Sequence, residues 1–316
     1  MNTNANAILT LCSHLCMGDG VTPLEPREWG ELAKKLMAAG LKPENVFALS
    51  RADFREKLLV SDDYIDRVFR LIDRNASLVF ELSRLENIGI TAITRADKDY
   101  PSKLKTVLGN NCPPIFYVAG DLSLLGQKFV GYVGSRTVSE DDILFTRNAV
   151  FKTAECGFGV VTGGAKGIDT ASEESAVECG VPIVEYLSDS MLKKVKRGAV
   201  ARAIGNGKML LLSVVKPDAG FNVGVAMMRN RYIYAQSAGT VVVRSEYNKG
   251  GTWAGATENL KYNWCKEFCR DKRSYQGNKA LIEMGAIPIG DDWDGNVEKA
   301  EPSERPGGGT QLSLFD

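Results

Sequence analysis

Two hydrophobic rhythms divide the chain. Up to about residue 83, apolar positions recur at helical spacing. Leu32, Leu36 and Met37 form one stripe after the turn at Pro23 and Pro26, and Tyr64, Ile65, Val68, Phe69 and Ile72 form another. This stretch carries no obvious chemistry and reads as an N-terminal helical packing or docking domain over 1–83. From about residue 84, short apolar runs alternate with amphipathic stretches and glycine turns. Residues 128–133 predict a strand followed by a helix over 139–156, and residues 158–162 a strand followed by a helix to Cys179. Strands at 182–187 and 209–214 precede helices at 191–204 and 223–237. A strand at 240–243 leads through the glycine turn GGTWAG into another helix. Strands alternating with helices imply a parallel sheet with helices on both faces. The expectation is an α/β domain over 84–293 that binds its ligand outside the carboxyl ends of the strands. Residues 294–316 lack periodicity and read as a flexible, disordered tail.

Composition narrows the classes. The 316 residues are 44% hydrophobic and 25% charged, a balance that excludes collagen, coiled coil and a wholly disordered chain. The longest apolar runs, such as 209–215, fall far short of the ~20 residues needed to span a bilayer. The N-terminus has no basic leader, and Ser13 and His14 break its apolar stretch. A cytoplasmic protein without membrane contact is therefore expected. Lys plus Arg equals Asp plus Glu at 39 each, so contact with nucleic acid has to come from a local patch. The seven Cys are odd in number and read as thiols in a reducing compartment. Cys12/Cys16 and Cys265/Cys269 are spaced four apart, so each pair is expected on one helix face. His14, the only His, would point away from its pair. No metal site and no cofactor follow.

Candidate chemistry sits in three elements. Gly134-Ser135-Arg136 follows a strand directly. A glycine lets a ligand approach the backbone, the next helix offers N–H groups to a phosphate, and Arg136 adds a charged fork. The second loop, Thr162-Gly163-Gly164-Ala165-Lys166-Gly167-Ile168-Asp169, matches neither the dinucleotide fingerprint nor the P-loop. It still combines glycines, a lysine and a helix start, which suits an anion. Asp169 either caps that helix or holds the loop. The third element is Arg229-Asn230-Arg231, where two arginines diverge on a helix. One of them can face a phosphate while the other pairs with an acid, or both belong to a solvated cluster. The run Lys193, Lys194, Lys196, Arg197, Arg202 and Lys208, with no acid between 191 and 208, either extends a basic groove or forms a solvated helix face.

The ordered set is more specific than its parts. The lead-in ITAITRADKDYPSKLKTVLGNNCPPIFYVAGD, then GSR, TGGAKGID, RNR, GGT and finally GNKALIEMGA resemble the DprA/Smf family of DNA-processing proteins over about two-thirds of the chain. The resemblance implies an extended Rossmann-like domain that binds single-stranded DNA and helps load the RecA recombinase, and a homodimer. The family's basic pocket would map to Ser135, Arg136, Gly164, Lys166, Arg229 and Arg231, with Gly134, Gly163 and Gly167 shaping the loops. This chain departs from the family pattern at Ser172, where a His is usual, and at Arg244, where a Glu is usual. Glu246 follows two residues on. A Pro-Gly near 265–269 and a winged-helix domain are also missing from the pattern, so the expectation is a divergent, shortened member.

The tail ends in Gln311-Leu312-Ser313-Leu314-Phe315, which resembles the peptide that docks on the bacterial sliding clamp. Leu and Phe side chains would fill adjacent pockets, and the Gln amide would fix the register. The other reading is a tail folded back on its own core. The expected function is non-catalytic: a single-stranded-DNA-binding protein acting in recombination and processing, with the DNA polymerase sliding clamp, and RecA or a cognate toxin, as partners. Two other functions stay open. The chain also resembles stand-alone DprA-like proteins that occur as antitoxins beside phosphoribosyltransferase-like toxins in phage defence. The sheet further resembles nucleotide phosphoribohydrolases, although Glu258 in GGTWAGATE lies too far along for their signature.

Overall fold

The computed structural model describes residues 2–18 and 20–299. The chain begins with helices α1 (Thr3–Cys12), α2 (Pro26–Ala38), α3 (Arg51–Glu56), α4 (Asp62–Asp73) and α5 (Asn75–Glu86). Next come β1 (Thr91–Thr94), α6 (Ser102–Leu108), β2 (Ile115–Gly120), β3 (Phe129–Val133), α7 (Glu140–Glu155), β4 (Gly159–Thr162), α8 (Ile168–Cys179) and β5 (Ile183–Leu187). The remainder is α9 (Met191–Lys194), α10 (Gly198–Gly205), β6 (Met209–Ser213), α11 (Val223–Gln236), β7 (Gly239–Val242), α12 (Gly250–Tyr262), β8 (Lys266–Arg270), α13 (Gln276–Glu283) and β9 (Ile287–Ile289). The Rossmann-like α/β alternation expected from the sequence is present.

Contacts group the chain into two compact units. One holds Met1–Gln127 and Pro182–Gln236. Its strands run in the order β1-β2-β6-β5. β5 pairs with β6 in parallel, whereas β2 is antiparallel to both β6 and β1. An antiparallel edge on a parallel sheet is a common arrangement. The N-terminal helices belong to this unit and bury Leu9, Leu11, Leu32, Leu36 and Phe54. Ser13 Oγ and Tyr117 Oη lie 2.7 Å apart and join the end of α1 to β2. Phe116, Tyr186 and Tyr232 pack ring to ring at 5.5–5.9 Å on β2, β5 and α11.

The other unit holds Lys128–Val181 and the described chain from Ser237 to Lys299. Its strands run β4-β3-β7-β8-β9, each pair parallel. Parallel strands covered on both faces bury every residue, and β3, β4 and β7 are buried along their whole lengths.

Three local expectations need correction. The helix expected over 191–204 is broken at 195–197, between α9 and α10. Lys194 at the end of α9 is drawn inward to Glu185 at 2.7 Å, and a second helix starts at Gly198. GGT is not a turn before a helix. Its glycines form the first turn of α12, and the turn proper is the bridge between Glu246 and Lys249. Neither cysteine pair shares a helix face: Cys16 lies beyond α1 with φ +52°, and Cys269 lies on β8 just after Cys265.

Candidate nucleic-acid interface

β3 and β4 end side by side, and each runs into a glycine loop. At Gly134 a Cβ would come within 2.4 Å of the Ile168 side chain, so only glycine lets β3 leave the sheet against the start of α8. At Gly167, φ is +81° and a Cβ would meet Ser135 O at 2.3 Å. The two loops are therefore pressed backbone to backbone, and Ile168 N donates to Ser135 O at 3.3 Å. The first loop is fixed from its other side, where Ser135 N donates to Arg244 O at 3.0 Å.

The second loop is held from within. Asp169 is buried, and its Oδ2 accepts from Ala165 N at 3.2 Å, while Thr170 Oγ1 donates to Ala165 O at 2.9 Å. Of the two roles left open for Asp169, holding the loop is the one the bond pattern shows. Gly163 is buried and Gly164 half-buried in the left-handed region at φ +66°. No side chain caps α8 at Gly167. On this frame Arg136 and Lys166 stand exposed, one on each loop. The result is two cations, glycine backbone and a helix start, gathered at the carboxyl edge of parallel strands. That arrangement suits oxygen anions such as phosphates.

A network that sequence reasoning missed supports the edge. Ser139 and Asp142 form a capping box at the start of α7. The fully buried Asp142 carboxylate also accepts from Tyr275 Oη at 2.6 Å, Arg270 Nη1 at 3.1 Å and Arg244 Nη1 at 3.2 Å. Burial works to raise its pKa, but the hydrogen bonds from Ser139, Tyr275 and Arg244 outweigh it and hold the group below the ordinary aspartate value. The guanidinium of Arg270 lies 4.3 Å from the Phe145 ring centre, and that of Arg244 5.0 Å from Tyr275. Asn278 bonds Ser245 N, Val243 O and Arg270 O and so ties the end of β7 to β8. The S-x-x-D spacing of 139–142 was the available signal for the cap. Nothing in the sequence linked it to residues more than 100 positions away.

The RNR residues lie on α11, in the other compact unit. Arg229 is 4% exposed and Arg231 half-buried, with Tyr232 inside the aromatic cluster. In the basic run, Lys193, Lys196, Arg197, Arg202 and Lys208 are exposed, whereas Lys194 is buried against Glu185. Ser172 is buried, and its hydroxyl donates to Asp169 O at 2.9 Å. Gln311, Leu312, Ser313, Leu314 and Phe315 lie outside the described residues. Among the described residues, no group of three or more His, Cys, Asp or Glu is placed to hold a metal ion, and no helix is long and apolar enough to cross a membrane.

The family model for DNA recombination-mediator protein A matches residues 91–296. No curated protein matches the chain. Among solved structures, the chain is similar to DNA processing protein A (DprA) from Streptococcus pneumoniae, with 21% identity, a TM-score of 0.65, and coverage of 85% of this chain and 95% of that one. It is also similar to DNA processing protein A from Helicobacter pylori, with 23% identity, a TM-score of 0.52, and coverage of 65% and 92%. The Helicobacter structure concerns that protein's single-stranded DNA binding mode.

Proposed function

This chain belongs to the DNA recombination-mediator protein A family, and from that premise we propose that it binds single-stranded DNA through the loops that follow β3 and β4. The observation that carries the reading is the pair Arg136 and Lys166. Both are exposed, on glycine loops locked together by the Gly167–Ser135 contact. Cations on a rigid backbone edge hold phosphates without reading bases, so binding should tolerate sequence. We keep Arg229 and Arg231 in the proposal on the motif alone. Of the two, the half-buried Arg231 is the better placed to meet solvent.

The test is equilibrium binding of a fluorescent oligothymidine across a salt series. Phosphate binding releases counterions, and each contact to a single strand contributes about 0.7 to the slope of log K against log salt. Arg136→Ala combined with Lys166→Ala should weaken binding and flatten that slope by about 1.4. An unchanged slope removes both residues from the site. The proposed role includes no bond-making step. Asp169 is engaged with the Ala165 amide and Ser172 with a helix carbonyl, so purified protein should leave DNA and ATP intact. Nuclease activity that survives repurification and disappears in Asp169→Asn would refute this.

Clamp docking through Gln311–Phe315 is a separate part of the proposal and rests on the QLSLF sequence. A peptide of residues 306–316 should bind a bacterial clamp with an affinity on the order of micromolar, because a short flexible peptide loses ordering entropy on docking. Leu314→Ala with Phe315→Ala should abolish the interaction and leave DNA binding unchanged.

A further inference from the structure

Beside the loops stands an aromatic pair that the phosphate reading does not use. The chain continues past β7 to Arg244, whose carbonyl holds Ser135 N, and then turns back through the Glu246–Lys249 bridge into α12. Tyr247 sits in that turn, 58% exposed, and its ring meets Trp253 on the first turns of α12 at 5.0 Å and 70°. We infer that Tyr247, braced by Trp253, is a stacking platform for a base of the single strand whose phosphates lie at Arg136 and Lys166. The inference rests on the single-stranded-DNA reading above.

Three features support it. The first is distance. Tyr247 is three residues beyond Arg244, so its backbone lies within about 10 Å of the Ser135 contact even if that segment is fully extended. A chain held by its phosphates at Arg136 can therefore bring a base to it.

The second is rigidity. Asn248 takes the left-handed conformation at φ +52°, which Asn tolerates better than most residues. Lys249 pairs with Glu246 at 3.3 Å. Below the turn, Ser245 N donates to the buried Asn278 at 2.7 Å, and Gly277 has no room for a Cβ beneath Ser245 O. A base that stacks here meets a ring already held in place, so little ordering entropy is lost on contact.

The third is ring geometry. An edge-to-face pair engages the edge of one ring and one face of the other. Open ring surface remains for a base, and every base has a π-face to offer. The Glu246–Lys249 pair also balances charge next to the ring, so the platform adds stacking without adding a phosphate contact.

The closing experiment compares two oligonucleotides of equal length, oligothymidine and its abasic counterpart, against the full chain. Tyr247→Ala should weaken oligothymidine about 5- to 150-fold, the range for loss of one stacked base. It should leave abasic binding and the salt slope unchanged, and Tyr247→Phe should restore affinity. Trp253→Ala should produce a smaller loss of the same kind. If Tyr247→Ala binds oligothymidine as tightly as wild type, the platform is refuted while the phosphate site stands. Equal weakening toward both oligonucleotides also refutes it, because the residue would then act on the backbone site. If instead Arg136→Ala with Lys166→Ala changes nothing and Tyr247→Ala still discriminates, the platform holds and the phosphate assignment fails. Wild-type protein that binds neither oligonucleotide overturns both readings.

Discussion

The glycine-loop cations of one compact unit and the buried Lys194 and Arg229 of the other use charge in opposite ways. In the unit with β3 and β4, Arg136 and Lys166 stand in solvent on glycine loops, and the nearby acids are turned to structural work, Asp169 on a loop amide and Asp142 on a set of donors. In the unit with β5 and β6, Lys193, Lys196, Arg197, Arg202 and Lys208 are likewise exposed, but two cations go inward. Lys194 meets Glu185 with side-chain exposures of 7% and 0%, and Arg229 is 4% exposed. The buried glutamates differ as well. Glu185 on β5 has an ammonium partner, whereas Glu267 on β8 has only the amide of Asn259 on Oε2, and its Oε1 has no hydrogen-bond partner among the described residues. Burial without a cation pushes Glu267 up to about 8. Residue type alone therefore says little about whether a charge binds ligand or holds the fold; that depends on what the chain packs against it.

Stability measurements separate charges that hold the fold from charges that face solvent. Lys194→Ala removes the ammonium facing Glu185, and breaking one side of a buried pair costs about 3–5 kcal/mol. Urea unfolding should show that loss, and a cost below about 1 kcal/mol would show that the pair is not buried in solution.

Glu267 should make stability depend on pH. Its pKa is raised in the fold, to about 8 against a reference of 4.5, so folding binds a proton between those values. Stability is then full below about pH 4.5, falls by roughly 1 kcal/mol per pH unit toward pH 8, and levels off above it. Glu267→Gln, which keeps a neutral acceptor for Asn259, should remove this contribution and be the more stable form at pH 8. Identical pH profiles for the two proteins would show that Glu267 titrates normally.

Ser139→Ala breaks the capping box at α7 and should cost about 1 kcal/mol. It should also loosen the turn that presents Asp142 to Arg244 and Arg270, so a modest loss of DNA affinity should accompany it. Arg136→Ala with Lys166→Ala should lie at the other extreme, within about 0.5 kcal/mol of wild-type stability because both side chains are exposed. The affinity loss described above should then appear in a fully folded protein. A large drop in stability for this double variant would erase the contrast between these loop cations and the buried Lys194.

Much of the fold was legible in the chain. Strand, glycine loop and helix at 128–156 and 158–179 follow from local patterning, since a buried parallel strand is a short apolar run and its exit needs glycine. The same holds for the cations on those loops. Other features were hidden because their causes are distant in sequence. The break after Lys194 accompanies the reach of that lysine back to Glu185, a residue on another element. The fate of GGT depended on where the Glu246–Lys249 turn closes, and two glycines fit a turn and a helix start equally well.

Local periodicity and spacing thus determined the element types, the parallel α/β class and the two loops that carry Arg136 and Lys166, because hydrogen bonding along helices and the burial of strands are written within a few residues. Only the tertiary structure decided that β2 runs antiparallel to β6, that Asp142 gathers Arg244, Arg270 and Tyr275, and that Arg229 and Lys194 are buried. Strand direction at the edge and the partner of a buried charge depend on groups brought together across more than 100 residues of chain in the Asp142 network, and a pattern read over one or two turns holds no record of them.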